Sequence, residues 1–195
     1  MRRALLLVLV LAGMAAGVLA ATREEPGHAR PTPSRAHALV PLKHHALISD
    51  ASARSGVDPA LVAGVIFVES RYREKVVSTE GAVGLMQVLP STAREIARRL
   101  GDAGFRTADL RDPGVNIRYG TSYLRTLFDY YGGSRLEALA AYNAGVGNVD
   151  AWRAAAGGTL EPADIRFAET RRFVSEVERL AARYRRTYAE RDVTP

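Results

Sequence analysis

The 195-residue chain contains no cysteine. Nothing in it can form a disulfide or carry a lipid on an amino-terminal cysteine. Its four histidines, His28, His37, His44 and His45, all precede residue 46. With no histidine in the rest of the chain and no ligand spacing among these four, no metal is expected. No basic run is interleaved with aromatic residues, which removes the signature of a nucleic-acid binder. Gly145-Val146-Gly147 has no preceding strand pattern and no third glycine in register, so it is not a dinucleotide site. No cofactor is implied. Internal repeats are lacking, and within residues 71–89 the one run of β-branched character is residues 75–79.

What is present is an ordinary globular balance, 47% hydrophobic and 25% charged residues, at a length that suggests one domain with a real core. The amino terminus departs from it. Met1-Arg2-Arg3 is a short basic region, residues 4–19 are almost wholly apolar or glycine, and Val18-Leu19-Ala20 offers small residues for cleavage. This reads as a secretory signal at 1–20, with an uncleaved anchor as the alternative. For an exported chain, lack of cysteine is no evidence of a reducing compartment. Residues 21–43 hold Arg23, Arg30, Arg35 and Lys43 with Pro26, Pro31, Pro33 and Pro41, the composition of a flexible tether. The formal charge is +6, and without Arg2 and Arg3 it is +4, from 25 basic and 21 acidic side chains. That mild excess suits an anionic cell wall.

From 44 to 190 the pattern is helical. A first helix over 44–55 stops at Gly56. Asp58-Pro59 supplies a capping acid and a proline at the first helical position for the next. Thr92 with Glu95 reads as a capping box for a helix ended by Gly101, and Ser134 with Glu137 as another. Asp112-Pro113 starts a helix to about Tyr131, and Asn148 caps a short one bearing Trp152, the only tryptophan. The last helix, from about Thr170 to Glu190, sets Phe173, Val174, Val177, Leu180, Ala181, Tyr184 and Tyr188 on one core-facing stripe. The expected class is mainly α, with a small β-hairpin within 71–89.

One residue stands out against this background. Glu69 ends the apolar stretch Leu61-Val62-Ala63-Gly64-Val65-Ile66-Phe67-Val68. Val62, Val65 and Ile66 precede it at offsets that share a helical face, so the carboxylate points toward the core. Desolvation there raises the pKa, which keeps a glutamate protonated as a general acid. From the helix alone, a glutamate whose helix has reached solvent is the alternative. Three clusters follow: Ser78-Thr79-Glu80-Gly81-Ala82-Val83-Gly84-Leu85-Met86-Gln87, then Ala141-Tyr142-Asn143-Ala144-Gly145, then Glu169-Thr170-Arg171-Arg172-Phe173-Val174. With Glu69-Ser70 and in this order, over about residues 44–186, they resemble the lytic transglycosylase domain of the soluble murein transglycosylase type, a lysozyme-like family that cleaves peptidoglycan.

The resemblance implies a lysozyme-like α+β fold with the hairpin beside an active-site cleft. Glu69 would be the sole catalytic residue, while Ser78, Met86, Gln87, Tyr142, Asn143 and Glu169 would contact or support the glycan. Leu85 reads as core and Ser70 as a local helix-end hydrogen bonder. Residues 165–168, Ile-Arg-Phe-Ala, replace the proline-containing lead common in the family before Glu169. Most glycosidases pair their acid with a second carboxylate, and no convincing second one is found here. In the family the substrate's own 6-hydroxyl attacks instead, leaving a 1,6-anhydromuramyl end. An internal nucleophile of high effective molarity needs no second carboxylate to prepare it. The partners implied are peptidoglycan strands in the periplasm or envelope, with no nucleic acid and no obligatory oligomer. Service to an envelope-spanning secretion or conjugation machine is left open. The alternatives are a lysozyme-type muramidase and an inactive wall-binding module.

Overall fold

The computed structural model describes residues 43–192, with side chains as far as 186. The expected signal at 1–20, the tether up to residue 42 and the Tyr188 side chain lie outside the described residues. Within them the order is α1 (His45–Ser55), α2 (Pro59–Ser70), α3 (Pro90–Leu100), a 3-10 turn (Thr107–Arg111), α4 (Pro113–Tyr130), α5 (Arg135–Ala144), α6 (Val146–Ala155), a second 3-10 turn (Pro162–Asp164) and α7 (Ala168–Asp192).

The centre of the domain is α2. Every residue from Ala60 to Ile66 is buried, so the helix is enclosed all round rather than on one face. Burial of Leu61, Val62, Val65 and Ile66 stabilises the fold by roughly 2 kcal/mol each. Its start is fixed by Asp58, whose carboxylate accepts the Ala60 N–H at 2.9 Å. The other carboxylate oxygen of Asp58 takes Arg185 Nε of α7 at 2.8 Å. α7 lies against α2 along a long interface, and Gly64 permits the approach, because a Cβ there would stand 3.0 Å from the Val177 carbonyl oxygen. The α7 stripe from Phe173 to Tyr184 is buried as the periodicity predicts. α4 supports α1 and α5 on another side of the core.

Several local expectations are corrected. α3 begins at Pro90 rather than beside Thr92, because proline is pre-set for the first helical position and needs no partner for an N–H. Glu95 pairs instead with Arg98 and with Arg99, 3.1 Å away. Ser134 does cap α5, accepting the Glu137 N–H at 3.3 Å. The Glu137 side chain, however, is buried and turns to the Leu160 N–H at 3.3 Å and Arg153 at 3.1 Å. α6 starts at Val146 behind Gly145, and Asn148 donates to the Ala144 carbonyl at 2.7 Å from within its first turn. The hairpin region holds only two isolated bridges, Val77 with Val83 and Val83 with Val88. Left-handed turns at Gly81, Gly84 and Gln87 reverse the chain too often for a ladder to extend.

Candidate active site

Glu69 is the next-to-last residue of α2, and the helix is stopped just beyond it. Arg71 and Tyr72 both take left-handed conformations, at φ 49° and 60°, unusual for residues with a Cβ. The Arg71 N–H closes the helix on the Phe67 carbonyl at 2.9 Å, and Ser70, buried, donates its hydroxyl to the Ile66 carbonyl at 3.0 Å. Glu69 is therefore held where the enclosed helix meets the surface. Its carboxyl makes no hydrogen bond or ion pair among the described residues. Burial, and secondarily the Glu169 carboxylate, push its pKa from the ordinary 4.5 up to about 8. The C-terminal end of a helix is also the wrong end of its dipole for a negative charge. At neutral pH the side chain is an acid with a proton to give, with the protonated form in excess by about ten to one.

The loop over residues 84–87 is linked to this acid through Tyr142, which binds the loop and feels the charge of Glu69. Gly84 has φ 80°, and a Cβ there would fall 2.4 Å from Asn116 Nδ2 and 2.8 Å from the Leu110 carbonyl oxygen. Leu85 is buried, as expected. Met86 is buried too, and here the expectation is corrected: its thioether offers no surface to a groove. It fills the space left by Gly120, where a Cβ would lie 2.6 Å from the sulfur. Gln87, at φ 48°, donates from Nε2 to the Gly84 and Val76 carbonyls at 2.8 and 3.3 Å. Its amide oxygen has no donor among the described residues and remains available to accept.

Tyr142 of α5 reaches this loop, and its hydroxyl donates to the Met86 carbonyl at 2.7 Å. Its ring is parallel to Phe173 at 6.3 Å and tilted on Tyr123 at 5.5 Å. Burial, then the charges that Glu69 and Tyr123 would carry, push the phenol pKa well above its ordinary value, so it stays neutral. Asn143 accepts the Thr170 hydroxyl at 2.7 Å, tying α5 to the first turn of α7 beside exposed Glu169. Ser78 Oγ accepts the Ala82 N–H at 3.1 Å. Nearby Glu80 is held below the usual carboxylate range by the Thr79 hydroxyl, its own backbone N–H and the Ser78 hydroxyl. Ser78 thus keeps one lone pair for a ligand.

Asp150 is engaged elsewhere: it accepts from Tyr130 and Tyr131 at 2.8 and 3.0 Å. Two concavities, of 510 and 430 Å³, lie away from Glu69. The first surrounds Asp58 and Leu61 at the opposite end of α2, about 16 Å along the helix at 1.5 Å per residue. The second lies between α5 and α7 around Leu136 and Val174. Reasoning from the sequence missed Asn116. Its signal was a lone amide among the apolar residues of α4, beside Ile117 and one turn before Gly120.

A helical domain that carries one neutral acid at the end of its buried central helix falls in the lysozyme-like class. The family model for the transglycosylase SLT domain matches residues 46–164, and the chain belongs to that family. Soluble lytic murein transglycosylase of Escherichia coli K12 is 33% identical over 150 residues, covering 74% of this chain and 23% of its own length. Membrane-bound lytic murein transglycosylase C of Glaesserella parasuis is 39% identical over 112 residues, covering 53% of this chain and 31% of the relative. Lytic transglycosylase Slt of Pseudomonas aeruginosa, solved as an inactive glutamate-to-glutamine mutant, superposes with a TM-score of 0.72 at 32% identity, over 77% of this chain and 25% of that one. The 70 kDa soluble lytic transglycosylase of Escherichia coli gives the same TM-score and has been solved with bulgecin A. The chain spans about a quarter of the length of the soluble relatives.

Proposed function

We propose that the protein is an exported peptidoglycan lytic transglycosylase. The observation that carries this reading is the Glu69 carboxyl, neutral at physiological pH and free of partners, with no second carboxylate placed as its equal. In the first step Glu69 gives its proton to the glycosidic oxygen, and the bond from that oxygen to the anomeric carbon of N-acetylmuramic acid breaks. In the second, Glu69, now a carboxylate, takes the proton of the 6-hydroxyl, whose oxygen bonds to the anomeric carbon. No water enters, and Glu69 ends as it began. Tyr142 and Glu169, whose charges are coupled to Glu69, support this assignment, and Gln87, Ser78 and Asn143 are assigned as glycan contacts or supports with them. Tyr142 and Asn143 act on the loop and on the start of α7, and Met86 contributes its backbone.

The names of the relatives, soluble and membrane-bound murein transglycosylases, support a site of action in the envelope. Export through a cleavable signal at 1–20 and reach through 21–43, ahead of a catalytic domain at 44–190, are part of the proposal. No helix among the described residues is long and apolar enough to cross a membrane. Service to an envelope-spanning secretion or conjugation machine would use the same chemistry, and co-purification with envelope components of that machine distinguishes it.

Muropeptide analysis tests the reaction. Digestion of purified sacculi in heavy-oxygen water should give 1,6-anhydro-N-acetylmuramic acid ends with no label at the cleaved carbon. Labelled reducing ends as the dominant product would establish a hydrolase and make Glu169 the group to examine for water activation. Glycan binding without any cleavage would establish a wall-binding module.

A further inference from the structure

Asn116 lies on α4 with only 1% of its surface exposed, and it is the sole buried asparagine among the described residues. Its amide makes three hydrogen bonds, one of them to the 84–87 loop. Oδ1 accepts the Met86 N–H at 2.8 Å, and Nδ2 donates to the Val83 carbonyl at 2.8 Å and to the Leu110 carbonyl at 2.9 Å. A buried amide with three good bonds is costly to disturb, because each lost partner leaves an unsatisfied group. The backbone at Met86 is thus gripped on both sides: its N–H by Asn116 of α4, and its carbonyl, on the next peptide group, by the Tyr142 hydroxyl at 2.7 Å.

A phenol has one proton to donate and lone pairs with which to accept. Once Tyr142 has given its proton to Met86, it cannot give it to a carboxylate. We propose that Asn116 is a positioning residue for the acid: it fixes the backbone at Met86 so that the Met86 carbonyl claims the Tyr142 proton, and the phenol then has no proton left to give to the Glu69 carboxylate. A phenol free to turn would donate to the Glu69 carboxylate and favour its ionised form, which is the wrong state for starting the reaction. The groups that bear on this are Glu169 of α7, whose charge acts on Glu69, Tyr142 of α5 itself, and Tyr123 of α4 behind it, on which Arg99 of α3 acts in turn. The burial that keeps Glu69 neutral and the committed phenol act in the same direction. The inference rests on the reading of Glu69 as the acid.

The test is the titration of the Glu69 side-chain carboxyl, followed by carbon-13 NMR in the full-length protein without substrate, for wild type, Asn116→Leu, Tyr142→Phe and the double variant. Asn116→Leu keeps the approximate shape and releases the peptide. It should lower the Glu69 midpoint by about one pH unit, the worth of one gained hydrogen bond to a charged group. Tyr142→Phe removes a hydroxyl whose proton is already committed to Met86 and that makes no bond to Glu69, so it should leave the midpoint close to that of wild type. In the double variant Asn116→Leu should add nothing to Tyr142→Phe. A midpoint that rises in Tyr142→Phe would show that the hydroxyl already donates to Glu69 and would overturn the proposal. So would an Asn116→Leu shift that is absent, or one of equal size with and without the Tyr142 hydroxyl. If Asn116→Leu does not fold, Asn116→Ala, which also removes the bond to the Met86 N–H, takes its place with the same expected and refuting outcomes. Because the measurement needs no turnover, hydrolytic products would refute the proposed reaction while leaving this outcome to be read separately.

Discussion

Glu69→Gln should stabilise the protein, and by more at pH 8 than at pH 5. In the unfolded chain the carboxyl titrates near 4.5, in the fold near 8. Between those values the folded state holds a proton that the unfolded state has released, so stability falls as pH rises through this window. Below 4.5 both states are protonated and the difference vanishes. Above 8 both are ionised and the cost is complete, about 5 kcal/mol at about 1.4 kcal/mol per pH unit. The cost works out at about 1 kcal/mol at pH 5 and about 4 kcal/mol at pH 8. Glutamine has the same shape and no proton to lose, so the advantage of the variant should widen by about 3 kcal/mol between the two conditions. Whatever fixed benefit or penalty the amide brings cancels in that comparison, as do the other carboxyls, apart from Glu169 through its coupling to Glu69. Urea unfolding of both proteins at both pH values, followed by far-ultraviolet circular dichroism, measures it. An advantage of equal size at pH 5 and pH 8 would mean that Glu69 titrates as an ordinary glutamate, and the acid assigned here would be lost with it.

Other substitutions probe the parts around the acid. Glu169→Gln should lower the alkaline limb of wall cleavage by less than about 2 pH units, because burial is the larger cause of the rise and Glu169 the smaller; the shift should shrink as salt is added, since Glu169 is exposed. Gly84→Ala puts a Cβ against Asn116 and the Leu110 carbonyl at φ 80°, and should cost about 2 kcal/mol or more, seen by calorimetry as a lower Tm. Gln87→Ala should slow turnover by about 10- to 1000-fold and lower Tm modestly, since it removes two hydrogen bonds to the Gly84 and Val76 carbonyls; unchanged release of soluble muropeptides would remove Gln87 from the groove.

What could be read in advance was whatever a few neighbouring residues decide. Asp58-Pro59 and Asp112-Pro113 cap their helices through side-chain bonds that span two or three residues, and Gly56 and Gly101 end theirs by left-handed turns. Glu69 could be found because its conflict with an apolar helix is local. The failures share a different cause. Thr92 lost its capping role to Pro90, whose fixed φ outranks a side-chain cap. Glu137 found Leu160, 23 positions away, and Asn116 found Met86, 30 away; neither partner can be inferred from periodicity. Met86 was placed in the groove by its neighbours in the motif. The small Gly120 on α4 opens a space that draws the thioether inward, leaving the backbone of Met86 as the part that faces Tyr142.

A carboxyl tuned to about 8 suits a reaction that asks one residue to work in both directions. An ordinary glutamate would be ionised at neutral pH and have nothing to donate. It would also be too weak a base to draw a proton from a sugar hydroxyl. Raising the pKa mends both defects together, since a poorly solvated carboxylate recovers a proton more readily by the same free energy that made its acid slow to release one. The cause of the rise matters for this. A close carboxylate partner, as in a paired-acid site, would tie Glu69 to the titration of its neighbour. Burial at the end of α2 leaves it largely independent, with exposed Glu169 adding a smaller push. The enclosure of α2 by α7, and the close approach allowed by Gly64, therefore bear on chemistry as well as stability: they help to desolvate the helix end that carries the acid.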